Sequence, residues 1–335
     1  MSFKRFDQED ITISAESVVS PTWTGQVSNL TAFFTSSQVF LTSGQYYYDI
    51  YQVDPLTTGT ENQFSIAYGN IQGSGSILFA TGEDGKSPSS VIYGQYRTLL
   101  NGDENTNFTF GTATPNSIYA IAVNRARFKE KLLPGSFQLT LTSGSRTIKL
   151  IDNSSVTTTV SYVDAGRVYD IVSGSGTTVY QGITTTGFTP DSGSYGKLYP
   201  DVGVVVLNGD ALKDATYGIK LNISEGYNSA GNNLDPFYNS IKAGANFTMR
   251  SEETVTSNYV FVRVRNSEFN YSTNPSNITG SGDLLHNVMV NSPQAYMTTV
   301  GLYNDNNDLL GVAKLSRPLL KDFTKEALVR IKLDY

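Results

Sequence analysis

The sequence of 335 residues contains no cysteine and little charge. Without cysteine the chain cannot form a disulfide, use a thiol as a nucleophile or bind a metal through thiolates. Charged residues make up 16% of the chain, well below the roughly 25% of an ordinary soluble domain. The formal net charge of −6 argues against general binding to a phosphate backbone. We therefore expect no nucleic acid partner.

The chain has a single histidine, His286, which limits the catalytic chemistry available to it. A Ser–His–Asp triad would have to use this residue, and no G-x-S-x-G elbow is present to support one. A zinc or iron site built on a histidine pair is excluded. Beside Leu284, Leu285 and Val288, we interpret His286 as a structural residue. We expect no catalytic residue, no metal site and no cofactor.

Two adjacent carboxylate pairs, Glu83/Asp84 and Glu252/Glu253, stand in loop-like contexts, where such pairs are usually solvated. A glycosidase pair can come from distant parts of a fold, so a polysaccharide-degrading enzyme remains a competing hypothesis. We expect the protein to be non-enzymatic.

Long apolar runs are also missing. No run approaches the ~18 residues of a membrane-spanning helix. The start, MSFKRFDQED, has no apolar core of the kind found in a signal peptide. We therefore expect a soluble protein made without an export signal and without a membrane partner.

The residues that are abundant favour strands and turns. The chain has 21 Tyr, 17 Phe and 30 Gly, with many Thr, Val, Ser and Asn. Aromatic and β-branched residues favour strands, and Gly and Asn favour turns. We predict a mainly β fold, with sandwich- or barrel-like antiparallel sheets and one or two short helices.

The best helix candidate is the segment from Ser87 to Leu100. Ser87 is a suitable N-cap, Pro88 lies in the first turn, and apolar residues recur at helical spacing. Asn101–Gly102 is a suitable stop. A second short helix is predicted over Asp235–Ala243.

The middle of the chain, residues 153–194, is dominated by Ser, Thr and Gly. A low-complexity linker has this composition, but the spacing of Val and Tyr favours short twisted strands. We predict an N-terminal mainly β domain over residues 1–185, with a short helix near 88–100. A C-terminal β domain is predicted over 186–335, ending in a hairpin and a final strand.

The C-terminal forty residues carry the strongest strand pattern. Tyr296–Tyr335 predicts a β-hairpin, a linking segment and a last strand, in which Ala327–Tyr335 alternates between two faces. This strand must dock on its own chain or on another; we favour its own. The turn Asn304–Asp308 superficially resembles a calcium loop. It lacks the glycine and distant glutamate of an EF-hand, so we interpret it as a hairpin turn.

Aromatic residues near the N-terminus are the candidate interface. Tyr46, Tyr47 and Tyr48 are consecutive, so at least one must face outward from a strand. Either that strand has one half-covered face, or the tyrosines form a sugar-stacking or protein-contact surface. The predicted protein-interface residues are Phe3, Phe6, Tyr46, Tyr47 and Tyr48.

Several segments of the sequence resemble those of a known class of proteins. TTVGLYNDNNDLLGVAKLS resembles a hairpin of the form VGL(Y/F)–acidic turn–LL-x-V in tail- and baseplate-associated proteins. Four segments resemble virion structural proteins of contractile-tailed phages, especially those infecting cyanobacteria; they are KSPSSVIYGQYRTLL, IYAIAVNRARFKEKLLPGSFQLTL, YGKLYPDVGVVVLNG and AKLSRPLLKDFTKEALVRIKLDY.

The resemblance implies a non-enzymatic structural subunit of a tail or baseplate. Its partners would be other virion proteins and copies of itself. It would be made and assembled in the host cytoplasm and would reside in the virion. The alternatives are a neck- or head-associated virion protein, and a receptor- or carbohydrate-binding β module.

Overall fold

A computed structural model describes residues 10–35, 47–71, 88–176, 178–179, 194–223 and 230–334. The fold class predicted from the sequence is confirmed, because 47% of residues are in strands and 15% in helices. The chain forms two compact units. The larger unit comprises residues 18–253, and the smaller unit comprises residues 1–17 together with 254–335. The domain boundary predicted at 185/186 lies outside the described residues, at numbers within the range of the larger unit.

The described residues form eighteen strands and four helices. The strands are β1 (Ile11–Pro21), β2 (Asn29–Leu30), β3 (Tyr47–Tyr51), β4 (Asn62–Asn70), β5 (Ser117–Val123), β6 (Lys131–Leu132), β7 (Gln138–Ser143), β8 (Arg146–Asp152), β9 (Ser161–Val163), β10 (Gly166–Ser175), β11 (Thr178–Val179), β12 (Gly196–Tyr199), β13 (Val204–Asn208), β14 (Phe247–Thr248), β15 (Arg250–Val264), β16 (Gln294–Tyr303), β17 (Leu309–Asp322) and β18 (Ala327–Asp334). The helices are α1 (Pro88–Asn101), α2 (Gly209–Lys213), α3 (Ala230–Gly244) and α4 (Asn287–Asn291).

One long antiparallel sheet organises the larger unit. Its strand order is β2-β14-β7-β8-β10-β12-β13-β5-β4-β3, with β9 and β11 also pairing with β10. The sheet curls into a half-barrel. The Ser/Thr/Gly-rich middle contributes β9, β10 and β11, so the prediction of short strands there is confirmed for the described part of that segment.

Around β4 and β5 both faces of this sheet are buried, with α3 on one side and α1 on the other. On β5, Tyr119 and Ile121 join the core cluster that contains Phe237 of α3. The alternate residues, Ile118 and Ala120, join a second cluster with α1. Successive side chains of a strand point to opposite faces, so one strand supplies both cores. The Tyr119 and Phe237 rings stack with centroids 4.3 Å apart.

Helix α1 confirms the predicted helix. Ile92, Tyr96 and Leu100 recur at helical spacing and are buried against the sheet. The helix ends at Asn101, and Gly102 follows with a φ of 69°, a left-handed conformation that glycine adopts without steric cost. The predicted N-cap, Ser87, lies outside the described residues. The second predicted helix is confirmed as part of the longer α3.

The smaller unit holds the C-terminal strand on its own chain. Strand β18 pairs antiparallel with β15, from Ser257 opposite Asp334 to Val264 opposite Ala327, and β1 also pairs with β15. The hairpin β16–β17 packs side chains such as Val300 and Leu315 against this sheet. Docking on the same chain is therefore confirmed for β18; Tyr335 lies outside the described residues.

Candidate functional site

Of the predicted interface residues, the structure describes Tyr47 and Tyr48; Phe3, Phe6 and Tyr46 lie outside the described part of the chain. The Tyr47 hydroxyl donates to Gln95 Oε1 of α1 at 3.0 Å, and burial raises its pKa. Tyr48 is 5% exposed, and its hydroxyl donates to Asp235 Oδ1 of α3 at 2.5 Å. These two hydrogen bonds connect β3 to helices α1 and α3 of its own unit.

His286 is exposed and directly precedes α4. Its backbone carbonyl accepts a hydrogen bond from the Met289 N–H at 2.9 Å, and its side chain makes no capping hydrogen bond. Within the described residues, no cluster of three or more His, Asp or Glu side chains is arranged to hold a metal ion.

The pair Glu252/Glu253 lies on strand β15, so its predicted loop context is wrong. Glu252 is directly opposite Lys131 of β6, and its Oε2 lies 3.9 Å from Lys131 Nζ. Because adjacent strand residues point to opposite faces, the two carboxylates do not face a common substrate. The pair Glu83/Asp84 lies outside the described residues.

The turn between β16 and β17 confirms the interpretation of Asn304–Asp308 as a hairpin turn. The Asn304 side-chain oxygen accepts hydrogen bonds from the backbone N–H groups of Asn306 at 3.0 Å and Asp308 at 2.7 Å. Asn307 has a φ of 62°, which asparagine tolerates better than most residues. The side-chain oxygen of Asn304 is thus engaged in holding the turn closed.

A partly buried charge pair lies inside the long sheet. Asp170 on β10 is directly opposite Lys197 on β12. Burial raises the pKa of Asp170 and lowers the pKa of Lys197, while the charge of each opposes the shift of the other. Perturbed pairs occur in active sites and in structural pairs alike. Here the facing positions on paired strands explain the interaction without a substrate.

An open cavity of about 330 Å³ lies over β7 and β8. Its polar lining includes Gln138, Thr140, Lys149 and Asn246. None of its described lining residues is aromatic, so the cavity does not provide the sugar-stacking ring that a carbohydrate-binding module was expected to use.

The most unusual surface is on the smaller unit. Among the described residues, this unit exposes more large apolar side chains than the larger unit does, although it is much shorter. We name the apolar side chains exposed on β16 and β17 the hairpin surface: Tyr296, Tyr303, Leu309, Leu310, Val312 and Leu319. Leu310 is 70% exposed and Val312 is 59% exposed. Exposed apolar groups that lie together on one hairpin are typical of protein contact sites.

The core beneath the hairpin surface is small. Three buried side chains, Val260, Val329 and Ile331, form it, with partly buried neighbours on the hairpin. A fully buried aliphatic side chain stabilises a fold by about 1.5–3 kcal/mol, so three of them supply little stability for a unit of this length. The smaller unit therefore has apolar surface still to bury, which a protein partner can cover.

Sequence reasoning missed this surface because Val312 and Leu310 have the same residue types as core positions. Period-2 alternation shows which residues share a face, but it does not show whether another layer covers that face. The sequence LLGV at residues 309–312 was a usable signal for this surface. It places apolar residues on both faces of β17 beside an exposed turn, so at least one of these faces is a candidate for contact with a partner.

No protein-family model, curated protein or solved structure matches the chain. Among the helices in the described ranges, none is long and apolar enough to cross a membrane.

Proposed function

We propose that this chain is a non-enzymatic structural subunit of a phage virion, in the tail or baseplate, that assembles through protein–protein contacts. The observation that carries the proposal is the hairpin surface, which leaves apolar side chains exposed above a core of three buried residues. An isolated subunit gains nothing from that exposure, whereas an assembled one buries it.

The low charge of the chain supports the same proposal. Charged residues are 16% of the sequence. Removing charges from water is costly, so a surface poor in charge is easier to bury against a neighbour. The cores of protein interfaces are likewise depleted of charged residues and enriched in tyrosine.

The virion setting of the proposal depends on the resemblance of the β16–β17 hairpin and the four other segments to virion proteins of contractile-tailed phages. A neck or head-associated position remains the alternative within this class. Localisation of the chain in the intact particle by electron microscopy distinguishes these positions.

The test is quantitative mass spectrometry of purified particles of the phage that encodes the chain. We expect the wild-type chain in a fixed ratio to other virion proteins. The double substitution Leu310→Asp and Val312→Asp places two charges on the hairpin surface and is expected to remove the chain from particles. Leu56→Asp is the matched control, because Leu56 is 92% exposed on the larger unit.

The variants must be folded for this comparison, which circular dichroism of each purified chain verifies. Absence of the wild-type chain from particles would refute the virion proposal. Normal incorporation of the folded double variant would instead show that assembly does not use the hairpin surface.

A further inference from the structure

The hairpin has two sheet edges with different chemistry. Strand β16 runs from Gln294 to Tyr303 with the sequence QAYMTTVGLY, ten residues that include no charge and no proline. Strand β17 carries Lys314, Arg317 and Pro318. Charged residues and proline on an edge strand hinder pairing with another chain, because proline lacks the N–H donor and charges resist burial. One edge is protected and the other is open.

Strand β16 has room for a second neighbour. Among the described strands, β16 pairs with β17 alone. Its central residues, Thr298 and Thr299, are exposed, and Tyr296 is 67% exposed. A two-stranded sheet is marginally stable in water, and additional strands stabilise it. The edge of β16 therefore offers backbone donors and acceptors to an added strand.

We propose that β16 pairs antiparallel with β16 of a second copy of this chain, across a two-fold axis, to form a four-stranded sheet from two hairpins. This inference rests on the proposed assembly function and specifies its first contact. A two-fold interface uses the same patch on both copies, and a strand edge meets itself in this way without any other complementary surface.

Charge favours a second copy as the occupant. Self-pairing places identical residues near one another, so a charged strand would bring like charges together, at a cost in stability. The neutral strand β16 avoids this repulsion along its whole length. The protected edge, with Lys314, Arg317 and Pro318, limits growth beyond two copies, so the contact closes as a dimer instead of extending as a fibre.

The side chains of β16 also match under this symmetry. A two-fold axis between antiparallel edge strands places one residue opposite its own copy, and an overlap of nine of the ten residues of β16 places Thr298 or Thr299 there. With Thr299 at the axis, Tyr296 faces Leu302 of the second copy; with Thr298, it faces Val300. Threonine–threonine and aromatic–aliphatic cross-strand pairs are favourable. Either register places an aliphatic residue of the second copy opposite the exposed Tyr296.

The absence of cysteine makes a cross-linking test direct. Facing residues of antiparallel strands have Cα atoms about 4.5–5.5 Å apart, a distance that a disulfide spans. We expect Thr298→Cys or Thr299→Cys to form a disulfide-linked dimer on mild oxidation of the purified full chain. Ser316→Cys, exposed on the other strand of the hairpin, is the matched control and is expected to remain monomeric on a non-reducing gel.

A second measurement does not depend on a disulfide. The double substitution Thr298→Lys and Thr299→Lys places four like charges at the pairing centre of the proposed dimer. Light scattering after gel filtration should show the mass fall by half, to the 36.5 kDa of one chain, while an unchanged circular dichroism spectrum shows that the variant is folded.

Failure of both cysteine variants to cross-link, equal cross-linking of Ser316→Cys, or an unchanged mass for the lysine variant would each overturn the proposal. These outcomes leave the virion proposal to its own test, because particle mass spectrometry detects the chain whatever its first contact is.

Discussion

Lys321 offers the sharpest test of how the smaller unit is held together. Its side chain is fully buried, and its Nζ donates to the Asn266 carbonyl at 3.0 Å, Asn270 Oδ1 at 2.6 Å and the Asp322 carbonyl at 2.7 Å. This one ammonium group joins the end of β17 to the segment that follows β15. We expect Lys321→Met, which preserves length but removes the donor, to loosen that junction.

The size of the effect follows from the hydrogen bonds. A hydrogen bond to a charged group contributes about 1.5–3 kcal/mol, and methionine avoids the cost of burying an ammonium. Because the exposed Asn266 can turn its carbonyl to water, we expect a net loss of about 2–4 kcal/mol in the free energy of opening. That loss corresponds to local opening about 30- to 1,000-fold more often.

Hydrogen exchange read by mass spectrometry measures this opening in peptides from β15, β17 and β18. Lys314→Met is the matched control, since Lys314 is exposed on the same strand, and it should exchange at the wild-type rate. Equal exchange in the Lys321→Met and Lys314→Met variants would refute the role assigned to the buried ammonium.

Three other perturbations test the larger unit. Tyr48→Phe removes the hydroxyl that donates to Asp235, so urea unfolding should show a loss of about 1.5–3 kcal/mol; an unchanged midpoint would contradict this. In Gly244→Ala the new Cβ would clash with the Thr140 carbonyl oxygen of β7, so this variant should unfold at a lower urea concentration than the wild type. Gly94→Ala, which has open space around it in α1, should gain about 0.5–1 kcal/mol. The reverse order of stability would contradict this packing. Burial raises the pKa of Asp201, but hydrogen bonds from Arg167 outweigh this effect, so the pKa of the folded state is lowered. The stabilisation of the fold by this carboxylate is therefore full above the ordinary Asp pKa of about 3.9, and it is lost as the pH falls through the lower folded value. Asp201→Asn should therefore make the unfolding temperature depend less on pH in the acid range. If the unfolding temperatures of the variant and the wild type fell in parallel with pH, the stabilising role of the Asp201 carboxylate would be contradicted.

Local pattern predicted the local elements well. The alternation of Ala327–Tyr335 predicts β18, the spacing of Ile92, Tyr96 and Leu100 predicts α1, and the Asn- and Asp-rich stretch predicts the hairpin turn. Each of these depends on residues near one another in sequence, where periodicity and turn chemistry apply directly. The fold class followed from the same signals.

Long-range pairing could not be predicted in the same way. Strand β18 pairs with β15, which lies far before it in the sequence. Residues 10–17 likewise belong to one unit with residues 254–334, although these two segments are at opposite ends of the chain. Many strands of similar composition compete for the same edge, so alternation alone does not select the partner. The predicted boundary at 185/186 depended on a composition shift, which does not report pairing.

The candidate site was the hardest part to predict, for a related reason. The consecutive tyrosines were predicted to form an interface because aromatic rings are common at interfaces. Tyr48, however, is buried and its hydroxyl donates a hydrogen bond to Asp235. The hairpin surface instead consists mostly of aliphatic residues such as Leu310 and Val312, which have the composition of a core. Exposure depends on which layer covers a strand, and that layer is set by the tertiary fold.

The central claim is that the smaller unit makes the contacts of assembly. Hydrogen exchange of the chain in assembled particles, compared with the free chain, tests this most directly. Peptides covering β16 and β17 should gain protection on assembly, more than peptides of the long sheet do. A gain confined to residues 18–253, with the hairpin as exposed to exchange in the particle as in the free chain, would contradict it.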